Sequence, residues 1–297
     1  MALETQRLHP LFGVEIMAVD VTRSLDGSVA AGIRDAFEEH SLLLFRGQNV
    51  TDQSQAAFSK YFGPLLTSGS SNVTGGTIFS RQSNVDPKTG EFIPLDDRRT
   101  RHQLANQLWH SDSSFRVVPS LCSVLSAREV VRSGGTTEFA TMRAAWDALP
   151  HERQRMLERL VAVHSLANSR RHLDDKELIE AQEKEYPPVR QALVRTNPVN
   201  GRAALYMGAH ASHIVGWPVE DGRALLHELL EFATEPKFVY SHQWREGDVV
   251  VYDNRCLLHR ATPFDSTRFR RFLQRTTIAG DGPTAPQKTA LESASSA

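Results

Sequence analysis

His110-Ser111-Asp112 and, about 150 residues downstream, His259 constrain this chain more than any other feature. Two imidazoles and one carboxylate form a donor set that holds one face of an iron(II) ion and leaves the opposite positions open. To use it, the chain must fold so that its middle and its last quarter meet in one place. Arg270, Arg271 and Arg275, which follow His259 within about 16 residues, sharpen that demand. On an extended strand, residues four apart face the same side, so Arg271 and Arg275 point into one cavity while Arg270 points away. Two inward guanidiniums are costly unless anions pair with them. Their planar fork suits a carboxylate.

The 297 residues carry a formal charge of −1, so no global field favours nucleic acid or a membrane surface. The one basic cluster, Arg98-Arg99-Thr100-Arg101-His102, reads as a solvated loop. Two cysteines, Cys122 and Cys256, make no disulfide scaffold and suit a reducing compartment. The N-terminus has no apolar signal segment, and no window approaches a membrane span. These features lead to the expectation of a soluble, cytoplasmic protein.

No repeat or composition break divides the chain, which predicts one domain over residues 1–285 and a disordered tail over 286–297. Val29 to His40 has helical spacing, and Ser41 to Phe45 is a short buried strand. Thr51 caps a helix that Gly63-Pro64 stops. From about Leu66 to Gln107 the pattern loosens, and a segment that long beside His110 reads as a lid. Helical patterns follow at Ala144 to Leu160, broken near Pro150, and at Glu220 to Ala233. Asp248 to Tyr252 is an apolar strand, and Phe269 to Ile278 is a final one. Short strands with helices outside predict a mainly β fold, an antiparallel barrel or two-sheet jelly roll enclosing a ligand cavity.

Asn106 to Phe115, Ser133-Gly134-Gly135-Thr136-Thr137-Glu138-Phe139, and Tyr252-Asp253-Asn254-Arg255 before His259 resemble the taurine/2,4-dichlorophenoxyacetate dioxygenase family. The resemblance spans about Leu8 to Asp281. It is strongest to the phenoxyacetate-cleaving branch, notably at Gly208 to His213. It implies a double-stranded β-helix (cupin-like jelly roll) with iron(II) as cofactor and 2-oxoglutarate and O2 as cosubstrates. By position, His110, Asp112 and His259 match the iron ligands. Thr137 matches the hydroxyl that binds the 2-oxoglutarate carboxylate, and Arg271 the arginine on its far carboxylate. Arg270 competes for that role, because the spacing is one residue longer than in taurine-type enzymes. Arg275 matches the arginine that meets the substrate's acidic group.

The implied reaction couples oxidative decarboxylation of 2-oxoglutarate to hydroxylation of a small acidic substrate. For an aryloxyalkanoate the product collapses to a phenol and an oxo acid. An alkylsulfonate such as taurine is the alternative substrate within the fold. A zinc hydrolase or a non-catalytic binding barrel are alternatives outside it. His213 and Asn106 are further candidate substrate contacts. Trp109 and Phe115 read as packing, Cys256 as a small buried residue, and Asp253 and Asn254 as shaping the turn that aims His259. The family commonly associates, so a homo-oligomer is expected.

Overall fold

Leu42–Phe45 and Val249–Asp253, the two runs with no polar alternation, lie side by side in the middle of one sheet. The computed structural model describes residues 3–69, 76–97, 99–100, 104–173 and 175–287. Its strands are β1 (Thr5–Arg7), β2 (Val14–Ile16), β3 (Leu42–Phe45), β4 (Phe79–Ser83), β5 (Cys122–Glu129), β6 (Thr137–Thr141), β7 (Val161–His164) and β8 (Val189–Ala192). They continue as β9 (Val194–Thr196), β10 (Ala203–Leu205), β11 (Ala211–Ile214), β12 (Val239–His242), β13 (Val249–Asp253), β14 (Leu257–Ala261) and β15 (Phe272–Thr277). The helices are α1 (Gly27–His40), α2 (Asp52–Ser59), α3 (Met142–Asp147), α4 (His151–Leu157), α5 (Lys176–Glu185) and α6 (Val219–Ala233).

The larger sheet runs β1-β2-β3-β13-β5-β15-β4, and β12-β6-β14 forms a second sheet. Successive residues of a strand face opposite sides. Leu42, Leu44, Val250, Tyr252, Leu125 and Leu273 join the core that contains Phe139, Leu257 and Leu258 of the second sheet. Leu43, Phe45, Val249, Val251 and Val124 join a separate core with Ile33 and Phe37 of α1 and Phe58 of α2. The central strands are thus covered on both faces, which is why their sequences are apolar throughout. Each fully buried Leu or Phe contributes about 1.5–3 kcal/mol. The architecture is the expected jelly roll, with β11-β7-β8 and a β9-β10 pair added at its side.

Thr51 caps α2 as expected, in a reciprocal capping box with Ser54. The strands β1 and β2 had no sequence signal, being three residues each and, for β1, fully exposed. The span read as a lid contains β4, which pairs with β15 at the edge of the large sheet. Its residues 70–75, 98 and 101–103 lie outside the described set. Of the tail, residues 288–297 also lie outside it, while the Gln287 side chain still bonds both backbone groups of Arg190 in β8. Among the described residues no helix is long and apolar enough to cross a membrane. Both cysteines are buried and unbridged, and burial pushes the Cys256 thiol up to about 12.

Candidate active site

β14 delivers His259 to the space between the two sheets, and an isolated antiparallel bridge brings His110 to it. Each backbone N–H of the pair donates to the other's carbonyl, at 3.0 and 2.8 Å. The two imidazole centroids lie 4.2 Å apart. One ligand atom from each of His110, Asp112 and His259 falls within 4.8 Å of the others, and all three residues are buried. Gly208 makes the approach possible at the back. Its φ is +122°, and a Cβ there would sit 2.9 Å from the Trp109 carbonyl oxygen.

The donor set suits a divalent metal. His110 Nδ1 lies 2.7 Å from Leu108 O, which can only accept, so Nδ1 carries the hydrogen and Nε2 keeps the lone pair. Burial holds both imidazoles below their usual pKa, and the neighbouring His110 adds to the effect at His259. His259 Nδ1 is buried without a hydrogen-bond partner among the described residues. Burial alone raises a carboxyl's pKa, but Arg275, His259 and His110 outweigh it at Asp112 and keep that carboxyl ionised. Asp112 Oδ2 accepts from Ser123 Oγ (2.7 Å) and Tyr252 Oη (2.8 Å), while Oδ1 pairs with Arg275.

The loop after His110 is tied down by Asn254. Its Oδ1 accepts from Asp112 N at 3.1 Å, and its carbonyl accepts from Ser111 Oγ at 2.7 Å. Asp253 meanwhile clamps Arg255, which also reaches Glu38. Both residues shape the turn as expected, but Asn254 also fixes the Asp112 loop. The contacts from Tyr252, Ser123 and Asn254 have no motif. Tyr252 is hidden in an apolar run, and only the inward alternation with Val250 marks it.

Two cavities meet at this centre. The first, of about 190 Å³, is lined by Thr137, His259, Arg271, Arg275, Tyr252 and Phe264 among others. Arg271 and Arg275 both face it, as their four-residue spacing predicts. Gln274 and Thr276, on the opposite face of β15, turn toward α2, where the Gln274 side chain donates to Asp52 and the Thr276 hydroxyl bonds Ser59. Arg270 points to the surface and pairs with Glu129 at 3.0 Å. Arg271 Nε donates to Gly135 O at 3.1 Å. Gly135 has φ +59°, and a Cβ on it would lie 3.3 Å from the Arg271 side chain, which explains the Gly134-Gly135 turn. No carboxylate pairs with Arg271 among the described residues, and burial brings its pKa down to about 10. The Thr137 hydroxyl accepts from Trp244 Nε1 at 2.9 Å, which leaves its own hydrogen free to donate.

The second cavity, of about 130 Å³, opens on the Asp112 side and is lined by Phe115, Arg116, Arg170, Tyr186 and His210 among others. Phe115 is therefore a cavity wall as well as packing, its ring 5.1 Å from Tyr186 and 5.0 Å from His210. Trp109 is buried packing, with Arg260 over its ring at 4.6 Å. Asn106 borders both cavities and donates to Gln82 Oε1 at 2.8 Å. Arg99 also borders the second one, although Asp86 and Asp97 neutralise it.

His213 lines neither cavity. An irregularity in the β11–β7 pairing between Ala211 and His213 leaves His213 partly exposed. There its Nδ1 meets Ser212 Oγ at 2.9 Å, within electrostatic reach of Arg223 and Arg171. The wall position expected of it is held by His210, buried and fixed through Nδ1 to Ser114 Oγ at 2.9 Å.

Comparison with known proteins agrees with this geometry. Residues 4–277 match the family described as taurine catabolism dioxygenase TauD, TfdA family. The chain is 44% identical to an alpha-ketoglutarate-dependent 2,4-dichlorophenoxyacetate dioxygenase of Cupriavidus pinatubonensis, covering 95% of this chain and 99% of the relative. It is 35% identical to an (S)-phenoxypropionate/alpha-ketoglutarate-dioxygenase of Sphingobium herbicidovorans, covering 94% and 96%. The crystal structure of AAD-2 in complex with Mn(II) and N-oxalylglycine superposes with a TM-score of 0.89 at 39% identity, covering 97% of this chain and 100% of that one. A zinc hydrolase would leave the buried Arg271, which has no acid partner among the described residues, without a purpose. The chain belongs to the TauD/TfdA family and is an iron(II)- and 2-oxoglutarate-dependent dioxygenase.

Proposed function

We propose that this dioxygenase hydroxylates an aryloxyalkanoate of the phenoxyacetate type at the carbon bearing the aryloxy group. One oxygen atom of O2 enters that carbon, and the other enters succinate as 2-oxoglutarate loses carbon dioxide. The resulting hemiacetal breaks its bond to the aryloxy oxygen. The hydroxyl proton passes to the departing phenol, and the carbon becomes the carbonyl of an oxo acid. Bound iron(II) supplies the redox chemistry that couples the two halves.

The chain's own residues place the reactants. Arg271 pairs with the far carboxylate of 2-oxoglutarate, and the Thr137 hydroxyl donates to that same end of the cosubstrate. Arg275, which borders both cavities, takes the substrate carboxylate, with Asn106 beside it. Tyr252 and Ser123 fix the Asp112 carboxylate. The observation that carries the reading is the combination, in one cavity, of Arg275 with the edge-on group of Phe115, Tyr186 and His210. A cation beside a ring-shaped slot suits an aromatic acid, and an alkylsulfonate would leave those ring edges unused. The relatives named for phenoxy acids support the same choice.

The test is succinate release with iron(II), 2-oxoglutarate and oxygen, comparing phenoxyacetate, taurine and no substrate. Phenoxyacetate is expected to stimulate succinate formation with phenol released in equal amount. Stimulation by taurine alone would move the substrate class to sulfonates.

A further inference from the structure

Among the described residues four arginines are buried: Arg143, Arg170, Arg255 and Arg271. Two of them find carboxylates within the fold. Arg143 pairs with Asp253 and bonds Ser41 and the Glu38 carbonyl, and Arg255 pairs with Asp253 and Glu38. The other two have no carboxylate partner among the described residues, and both line cavities at the metal centre. Arg271 is answered by the cosubstrate. Arg170, on the opposite side, has no such answer.

Arg170 sits in the 3-10 segment Asn168–Leu173 after β7 and is only 6% exposed. Its Nε is buried without a hydrogen-bond partner among the described residues. Burial brings the pKa of its guanidinium down to about 10, so it remains a cation at neutral pH. It is close enough to push the pKa of both His110 and His210 down. The cavity it lines also carries Arg81, Arg99, Arg116 and Arg275, against one carboxylate, Asp112, among the described lining residues. Asp112 is committed to the metal, and Arg275 lies against it. A buried, unpaired guanidinium is among the costliest groups a fold can keep. Its retention in a ligand cavity points to an anion that arrives with the ligand.

Resting on the aryloxyalkanoate reading, we propose that Arg170 recognises a second anionic group, a carboxylate on the aromatic ring, so that the preferred substrate is a dianion anchored at both ends. Arg275 holds the acid beside the metal. Phe115, Tyr186 and His210 contact the ring, and Arg170 meets the ring carboxylate through charge-assisted hydrogen bonds.

The experiment measures anaerobic binding by calorimetry to the protein loaded with iron(II) and 2-oxoglutarate. The ligands are phenoxyacetate and its ortho-, meta- and para-carboxy derivatives, on the wild type and on Arg170→Met. At least one carboxylated isomer is expected to bind wild type about tenfold more tightly than phenoxyacetate. Arg170→Met removes that advantage and leaves phenoxyacetate binding within about threefold. The unliganded variant melts no lower than wild type, because it loses a buried charge that no carboxylate among the described residues balances. The proposal is overturned if no isomer binds more tightly, if Arg170→Met weakens phenoxyacetate as much as the isomers, or if the unliganded variant melts well below wild type. Phenol release from phenoxyacetate is followed in parallel. Its absence counts against ether cleavage alone, because binding through Arg170 is read without turnover.

Discussion

The two cavities that meet at His110 are built in different ways. The cosubstrate side takes Thr137 from β6, His259 from β14 and Arg271 and Arg275 from the β15 segment, so sheet hydrogen bonding fixes its geometry. The second cavity also uses sheet residues, Ser80 to Gln82 of β4 and Arg275 of β15, but it adds Phe115 and Arg116, Leu166 and Arg170, Tyr186 and His210 from connections between strands and helices or from their ends. On the proposed reading, strands hold the groups that every turnover would need, and connections carry those that would choose the substrate, where changes disturb the sheets least. Each side keeps one buried arginine with no acid partner among the described residues.

The comparison breaks most visibly at Arg271. Arg271→Met should raise KM for 2-oxoglutarate on the order of 100-fold, since one half of a buried charge pair is removed. Arg270→Met should change it less than about twofold, because an exposed ion pair contributes little. Steady-state kinetics at varied 2-oxoglutarate checks both, and the reverse order would return the anchoring role to Arg270.

Between the cavities, Tyr252→Phe tests whether the Asp112 carboxylate depends on its phenol partner. Metal affinity should fall about tenfold, with Ser123 still holding the same oxygen. Competition with a chelator measures it, and unchanged affinity would reduce Tyr252 to packing.

A further effect, on stability and not on catalysis, concerns acid. His164, stacked on Tyr206 at 5.6 Å, is buried, and neither ring nitrogen has a partner among the described residues. Burial brings its pKa down from 6.5 to about 3. Above pH 6.5 neither folded nor unfolded chain holds this proton, so stability is complete. As pH falls below 6.5 the unfolded chain gains a proton that the folded one refuses. Stability then drops by up to about 1.4 kcal/mol per pH unit, until the folded pKa near 3 is reached. Urea unfolding of His164→Phe between pH 7 and pH 5 should show a shallower slope than wild type by about one proton. Equal slopes would mean that His164 titrates normally in the fold.

Much of this was legible in the residues themselves. Iron-binding chemistry needs particular side chains, so His110, Asp112 and His259 stand out whatever surrounds them. Period two placed Arg271 and Arg275 on one face, and the unbroken apolar runs at Leu42 and Val249 showed which strands would be covered on both sides. Short elements without such patterns were missed, as with β1, β2 and the β4 edge strand inside the supposed lid. His213 was named as a substrate contact, but a local irregularity in β11, which no spacing reveals, leaves His210 as the ring that meets the cavity.

The sequence by itself determined the donor set, the strand alternation and the arginine register, because these follow from residue type and local geometry. Only the tertiary structure decided which buried charges are answered. Ser123 and Tyr252 reach Asp112 from 11 and 140 residues away, and Arg143 finds Asp253 from 110 residues away while Arg170 finds no acid among the described residues. Whether a buried group has a partner is a property of long-range packing, and it separates a structural arginine from one that waits for a ligand.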